Sequence, residues 1–125
     1  MNPCILVTQA EAEKAVGATV TQGVGSDGTV CTYDAKGDSG LVTVVLQAPM
    51  WCKLLFLALK ENLFGNTQVR RDDVGDGGMQ VVGNGNVQFT SHGGCVEVEG
   101  STATGKLPDA VVLQMAKNAA GRVTG

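Results

Sequence analysis

The chain has few aromatic residues, few charges and no long apolar run. Aromatic side chains make up 4% of its 125 residues and charged side chains 17%, below the roughly 25% typical of globular domains. The longest apolar stretch, residues 54–59, is far shorter than the roughly 18 residues that a membrane-spanning helix needs. Apolar residues supply 43% of the chain. Because so few of them are aromatic, the core must be built from Val, Leu, Ala and Met.

The charges are also nearly balanced. Nine Lys and Arg residues stand against twelve Asp and Glu residues, which gives a net charge of −3. The only basic cluster, Arg70-Arg71, is followed directly by Asp72-Asp73. Because proteins that bind nucleic acid neutralise phosphates with clustered basic side chains, we expect no nucleic-acid binding.

The length predicts one domain over residues 1–125, large enough to bury a core. The N-terminus of this sequence does not show the pattern of a signal peptide, which has a basic region, an apolar region and a small-residue cleavage site. If the natural protein is exported, we expect its signal segment to be absent from this chain and Met1 to be an added start.

Three helices are predicted, over residues 8–16, 49–64 and 108–120. The first begins with a capping box formed by Thr8 and Glu11. The second and third begin with Pro49 and Pro108, because proline suits the first position of a helix. Glycine follows each predicted end, at positions 17, 65 and 121.

The second predicted helix is apolar almost all round. Its polar interruptions are Lys53, Lys60, Glu61 and Asn62. An ordinary surface helix has an apolar stripe little wider than 100°, so one sheet face covers only part of this helix. We expect the rest to be covered by the other two helices, by a second copy of the chain or by an apolar ligand. Trp51 and Phe56 are the expected interface anchors.

Short runs of β-forming residues lie between these helices. The predicted strands are residues 18–22, 29–33, 41–47, 79–82, 86–90 and 95–99, with 67–71 a weaker candidate. Gly83-Asn84-Gly85 is a hairpin signal between two of them. The order α-β-β-β-α-β-β-β-α predicts an α+β domain, with helices on one face of an antiparallel meander sheet, and suggests a twofold pseudo-repeat.

The four cysteines allow three disulfide pairings. One of them, Cys4 with Cys31 and Cys52 with Cys95, would tie a helix to a strand in each half of the chain. The alternative is four reduced, buried cysteines in a cytosolic protein. No zinc site is expected, because the chain has no CxxC motif and only one histidine.

Two further motifs lack the structural context that their chemistry requires. Gly23–Gly28 matches the letters GxGxxG, but it leads into a predicted strand rather than a helix, so we expect a hairpin loop. Asp72, Asp73 and Asp76 lie among glycines without the spacing of an EF-hand, so we expect a solvated turn rather than a calcium site.

No catalytic constellation is recognisable. His92 lies in a predicted turn without a nucleophile motif, and we expect it to be a surface residue. Glu97 and Glu99 lie on the same side of one strand, as expected for a solvated sheet face. We therefore expect no catalytic residue, no cofactor and no metal ion.

The segment Asn2–Glu11, together with Cys31-Thr32-Tyr33, resembles a family of small secreted lipoproteins, best known from actinobacteria. Their exported domains begin with a similar Asp/Asn-Pro-Cys, a capped helix and a later Cys-x-Tyr/Trp strand. Val74–Gly78, followed by two short strands and an Ala-rich helix, also looks like that family. The resemblance implies an exported domain with a Cys4–Cys31 disulfide, and it implies no particular activity.

We therefore expect a non-enzymatic, extracytoplasmic binding module. Its partner would be a protein, a cell-wall component or an apolar small molecule. One alternative is a cytosolic protein with reduced cysteines, acting as an enzyme without a recognisable motif. The other is a homo-oligomeric structural protein, such as a homodimer. The resemblance does not extend to Cys52 and Cys95, so their bridging stays open at this point.

Overall fold

A computed structural model describes residues 1–83 and 85–123 of the chain, and in this part eight strands form one sheet flanked by three α-helices. The helices are α1 (Gln9–Val16), α2 (Pro49–Lys60) and α3 (Asp109–Ala120). The strands are β1 (Val20–Val24), β2 (Val30–Ala35), β3 (Gly40–Gln47), β4 (Gln68–Arg71), β5 (Gly78–Val81), β6 (Val87–Ser91), β7 (Gly94–Thr102) and β8 (Gly105–Lys106). The predicted single α+β domain is confirmed.

The sheet consists of two antiparallel meanders that meet in the middle. Its strand order is β1-β2-β3-β7-β6-β5-β4, and β8 pairs with β7 beside this path. The junction is the pairing of β3 with β7, in register from Gly40 opposite Thr102 to Gln47 opposite Cys95. The predicted order has three strands in the second half of the chain, and these are β5, β6 and β7. The structure adds β4, which was the weaker candidate, and the short β8.

The two cysteine-bearing strands present their cysteines on opposite faces of the sheet. Cys31 aligns with Val44 across β2 and β3, and Val44 aligns with Val98 across β3 and β7. Side chains alternate along a strand, so Cys95, three residues before Val98, points to the other side. We call the face that bears Cys31 face 1 and the face that bears Cys95 face 2.

Face 1 carries the main core. It is covered by α1, α3 and a short 3-10 helix at Pro3–Ile5, which the Cys4–Cys31 disulfide attaches to β2. The Tyr33 hydroxyl donates a hydrogen bond to the Cys4 carbonyl at 3.0 Å. The fully buried side chains include Leu6, Val7, Tyr33, Val42, Val44, Val87, Phe89, Val98 and Val112. One tyrosine and one phenylalanine thus supply the aromatic part of a core built mostly from valine.

The helices lie on both faces, in contrast to the expectation of one helical face. The Cys52–Cys95 disulfide places α2 on face 2, opposite α1 and α3. A twofold axis relating the antiparallel β3 and β7 would keep related helices on one face. The suggested pseudo-repeat is therefore visible in the strands and absent from the helices.

The ends of the first two helices follow recognisable capping rules. The Thr8 and Glu11 capping box is present as predicted, and Gly17 ends α1 with φ of 75°. The second helix ends at Lys60 instead of Phe64, because Asn62 adopts a left-handed φ of 58°. The Asn62 and Leu63 amides donate back to the carbonyls of Leu59 and Ala58, which forms a Schellman motif.

The predicted hairpin loops are observed where the structure describes them. Gly23–Gly28 lies at the β1–β2 connection, and these two strands pair antiparallel. The β5 and β6 strands also pair, but Asn84 in their connection lies outside the described residues. His92 and Gly93 form the turn between β6 and β7, both with positive φ, as in a type I′ hairpin.

An ion pair joins the two ends of the chain on face 1. The Arg122 guanidinium donates to both carboxylate oxygens of Glu11 and to the Leu6 carbonyl at 2.9 Å. Asn118 and the Thr8 amide also donate to Glu11. Burial opposes ionisation of Glu11, but these hydrogen bonds outweigh it and lower its pKa to about 2.

Stability should therefore fall when the pH drops below about 4.5 towards 2. In the unfolded chain Glu11 takes up a proton near its ordinary pKa of 4.5, whereas in the fold it stays ionised to about pH 2. A group with a lowered pKa stabilises the fold above its unfolded pKa and loses that contribution in acid. Glu11→Gln, which keeps a capping-box residue, should lose about 1–3 kcal/mol at pH 6 and nearly nothing at pH 2.

Urea unfolding of the native protein and of Glu11→Gln at several pH values measures this difference. A difference in the free energy of unfolding between the two proteins that stays constant from pH 6 to pH 2 would contradict the assigned role of the ion pair.

Candidate functional site

The α2 helix lies on face 2 with its cysteine against the sheet. Cys52 is only 2% exposed, and its Cα lies 5.7 Å from the Cα of Cys95 in β7. Leu55, Phe56 and Leu59, on the same side of the helix, are half-buried. The α2 helix contacts β4, β6 and β7, but Cys52 is the one side chain of α2 that is fully buried, and a covalent bond reinforces this contact.

The opposite side of α2 is apolar and exposed to solvent. Met50 is 65% exposed, Leu54 51% and Leu57 55%. At 100° per residue these three side chains fall within an arc of roughly 60°. We call them the α2 stripe. An ordinary surface helix turns its apolar side inward and its polar side outward, whereas α2 is apolar on both sides.

Different residues border the two edges of the α2 stripe. Trp51, 56% exposed, and the half-buried Ala58 lie along one edge. Lys53 and Lys60, seven residues apart, lie along the other edge and are exposed. Neither lysine forms an ion pair among the described side chains. The surface is thus an apolar strip with an aromatic edge and a basic edge, and the exposed Glu61 lies at its C-terminal end.

The other two helices do not cover the α2 stripe, because they lie on face 1. That way of covering the apolar helix, one of the three expected, is therefore wrong. The structure also separates the two expected anchors. Trp51 borders the stripe, whereas Phe56 is about 140° away around the helix and partly faces the sheet. Leu63, just after the helix, is also apolar and is 73% exposed.

The histidine lies near a serine without forming a catalytic arrangement. The Ser91 hydroxyl is 3.2 Å from Nδ1 of His92. Asp76 accepts a hydrogen bond from the His92 backbone amide rather than from its ring. Ser91 is only 4% exposed, and no group in the described part of the chain orients the ring as a catalytic triad requires.

The three aspartates considered for calcium are held apart by separate partners. Asp72 pairs with Arg70 at 2.6 Å and Asp73 pairs with Lys117 at 2.7 Å. Asp76 accepts from the His92 amide. Within the described residues, no three His, Cys, Asp or Glu side chains come together as metal ligands.

Glu97 and Glu99 lie side by side on face 2 and are less solvated than expected. Burial and the neighbouring Glu99 carboxylate raise the pKa of Glu97 to about 7. Glu99 accepts a hydrogen bond from Nδ2 of Asn86 at 3.0 Å. The sequence pattern places both carboxylates on one side of the strand, but it does not show that neighbouring elements partly bury them.

A groove between α1 and α3 is a further candidate. It has a volume of about 490 Å³ and a mainly apolar lining that includes Ala15, Val111 and Met115. Glu11 and Asn118 border it, but Asn118 already donates to Glu11, which also accepts from Arg122. Of the other polar lining residues, Gln114 donates to Asn118, which leaves the exposed Lys14 for a ligand to recognise. It is therefore a weaker candidate than the α2 surface.

The Cys4–Cys31 and Cys52–Cys95 disulfides are both present. Each of them joins a helical segment to a strand. The Cα atoms of Cys4 and Cys31 are 5.2 Å apart, and no cysteine is free. Two disulfides in a small domain are typical of an oxidising, extracytoplasmic environment. No helix in the described residues is long and apolar enough to cross a membrane.

Comparisons with protein-family models, with curated proteins and with solved structures found no match.

Removal of the Cys52–Cys95 disulfide should loosen α2 selectively. The bond closes a separation of 43 residues, so replacing both cysteines with alanine should cost about 4 kcal/mol in the chain-entropy model. Because the other sheet-facing side chains of α2, Leu55, Phe56 and Leu59, are only half-buried, its amides should exchange with solvent faster than those of β3 and β7. Hydrogen exchange followed by mass spectrometry or NMR measures both sets of amides.

The matched control is the removal of Cys4 and Cys31, which are 27 residues apart and should cost a similar roughly 3.5 kcal/mol. This control should leave the exchange of α2 relative to the central strands unchanged. Equal protection of α2 and the central strands after loss of the Cys52–Cys95 bond would mean that packing alone holds the helix.

Proposed function

We propose that this protein is a non-enzymatic, extracytoplasmic interaction module that binds its partner through α2. The observation that carries the proposal is the α2 stripe, three neighbouring apolar side chains that are each more than half exposed. Contiguous apolar surface is costly to leave in water and marks interaction sites on soluble proteins. Trp51 at its edge is the residue type most often found as an energetic anchor.

The attachment of α2 supports the same interpretation. The Cys52–Cys95 bond and the Schellman motif at Asn62 fix the helix before any partner arrives. A surface that is already ordered loses less conformational entropy on binding, so more of the contact energy is available for affinity. An exposed apolar helix without such a tie would be free to turn its stripe inward or to unfold.

Two observations support the extracytoplasmic location. Both disulfides fit an oxidising compartment. The likeness of Asn2–Glu11 to the opening of small secreted lipoproteins points to export as well. A free-thiol assay distinguishes this location from the cytosolic alternative, since protein isolated without reductant carries no free thiol in the first case.

Binding is favoured over catalysis by the state of the polar groups. The Ser91 hydroxyl is buried and the ring of His92 has no orienting partner among the described residues. The aspartates near residue 73 are each engaged by another group. A binding surface needs no such arrangement, and the α2 stripe is accessible as it stands.

Selection of binders from a random peptide library tests the proposed surface. Because binders concentrate on accessible apolar sites, we expect most selected peptides to contact α2. Leu54→Asp should weaken these peptides at least tenfold, since a charge in the middle of an apolar contact is desolvated without a partner. Val24→Asp is the matched control, because Val24 in the edge strand β1 is also 51% exposed.

Affinities are measured by fluorescence anisotropy of labelled peptides, and circular dichroism checks that both variants keep their fold. If the selected peptides tolerate Leu54→Asp as well as they tolerate Val24→Asp, α2 is not the binding surface and the proposal is wrong.

A further inference from the structure

We infer that the element docked on α2 is a partner helix with an apolar seam and acidic side chains along one edge. This inference rests on the proposed function and names the chemistry of the partner. It depends on three features of the surface: the spacing of the stripe, the lysines along one edge and the size of the residues along the other.

The spacing of the α2 stripe is that of a helix-pairing seam. Met50, Leu54 and Leu57 are separated by four and then three residues, which is the alternation of core positions in paired helices. They span about 10 Å along the axis, or two turns. Amphipathic helices are recognised through side chains at this spacing, so a helix fits the stripe better than an extended strand.

The basic edge determines the charge of the partner. Lys53 and Lys60 are one heptad apart and occupy the positions that flank a seam. Both are exposed and neither is paired among the described side chains. Acidic residues one heptad apart on the partner helix would pair with both lysines, whereas basic residues there would be repelled.

The opposite edge is apolar and uneven. Trp51 is large and Ala58, one heptad later, is small. The partner edge that meets them should therefore also be apolar, with a small residue opposite the indole. This difference between the two edges fixes how the partner helix lies on α2, because a reversed edge would place carboxylates against Trp51.

A second copy of the chain is disfavoured as the occupant. A parallel pair of α2 helices would place each lysine edge against the edge of Trp51 and Ala58, where it finds no counter-charge. In a twofold dimer with antiparallel helices, the flanking positions on the same edge meet each other. Lys53 of one copy would then lie beside Lys60 of the other. Like charges at such positions are destabilising, and both lysine pairs of the dimer would suffer this repulsion.

A lipid surface is also disfavoured. Glu61 is exposed and follows Leu57 by four residues, so it lies on the same side of the helix as the stripe. Face 2 carries the Glu99 carboxylate as well, and the whole chain has a net charge of −3. These charges oppose contact with anionic lipids, and a neutral lipid surface would leave the lysine edge without a counter-charge.

The test uses two helical peptides of about 18 residues with the same leucine seam at heptad spacing. One has Glu and the other has Lys at the flanking positions, and neither contains Trp. Trp51 is the only tryptophan of the protein, so its emission reports binding at the site. We expect the Glu peptide to bind roughly tenfold more tightly at low salt, and the difference should shrink in about 1 M NaCl.

Three variants assign the effect to particular residues. The double variant Lys53→Gln/Lys60→Gln should remove the preference for the Glu peptide but keep binding. Leu54→Asp should weaken both peptides at least tenfold. The control Lys14→Gln/Lys106→Gln, which removes two lysines away from α2, should keep the preference.

Several results would overturn the inference. Equal affinity of the two peptides excludes the acidic edge, while the proposed binding surface stands if the library peptides still lose affinity on Leu54→Asp. Failure of both peptides to bind excludes a partner helix of this kind. Sedimentation showing a dimer that Leu54→Asp dissociates identifies a second copy as the occupant, and α2-dependent binding to phosphatidylglycerol vesicles identifies a lipid surface.

Discussion

The covalent bond between Cys52 and Cys95 decides which side of α2 meets the sheet. Apolar residues on both sides of the helix would allow hydrophobic burial of either side, although burying the stripe side would also bury Lys53, Lys60 and Glu61. The bond connects the helix to β7 at a Cα separation of 5.7 Å and thereby fixes the side that faces the sheet. The α2 stripe is exposed as a direct consequence.

The rest of the molecule provides a rigid support for this arrangement. The valine-rich core lies on face 1 under α1 and α3, and it does not depend on α2 for its burial. The ion pair of Glu11 with Arg122 joins α1 to the residues just after α3 on that face. Stability is therefore concentrated on face 1, and face 2 is free to carry an exposed apolar surface that is poor for stability and that we propose as the binding surface.

Local features of the fold could be predicted from the sequence, because they depend on neighbouring residues. The capping box at Thr8, the turn at His92 and most of the strands were predicted from short patterns and are present. The early end of α2 was missed. Asn62 is also acceptable inside a helix, and only its left-handed φ shows that it ends one.

The position of α2 on face 2 could not be predicted, because its apolar pattern does not indicate which side is buried. The cysteines held the missing information: Cys31 and Cys95 lie on opposite faces once the register of β3 with β7 is known. That register depends on long-range pairing, which the sequence does not specify. The expected anchors illustrate the same limit, since Trp51 and Phe56 are equally apolar and the structure exposes only Trp51 strongly.

Acrylamide quenching of the single tryptophan tests the central claim most directly. At submicromolar concentration, without a partner, Trp51 should emit near the wavelength of tryptophan in water and should be quenched at a large fraction of the rate of a free indole. The Cys4 and Cys31 double alanine variant should behave in the same way, because it leaves α2 attached to β7. A blue-shifted, poorly quenched Trp51 in the dilute native protein would show that the apolar side of α2 is buried. This result would contradict both the exposed stripe and the proposed binding surface that depends on it.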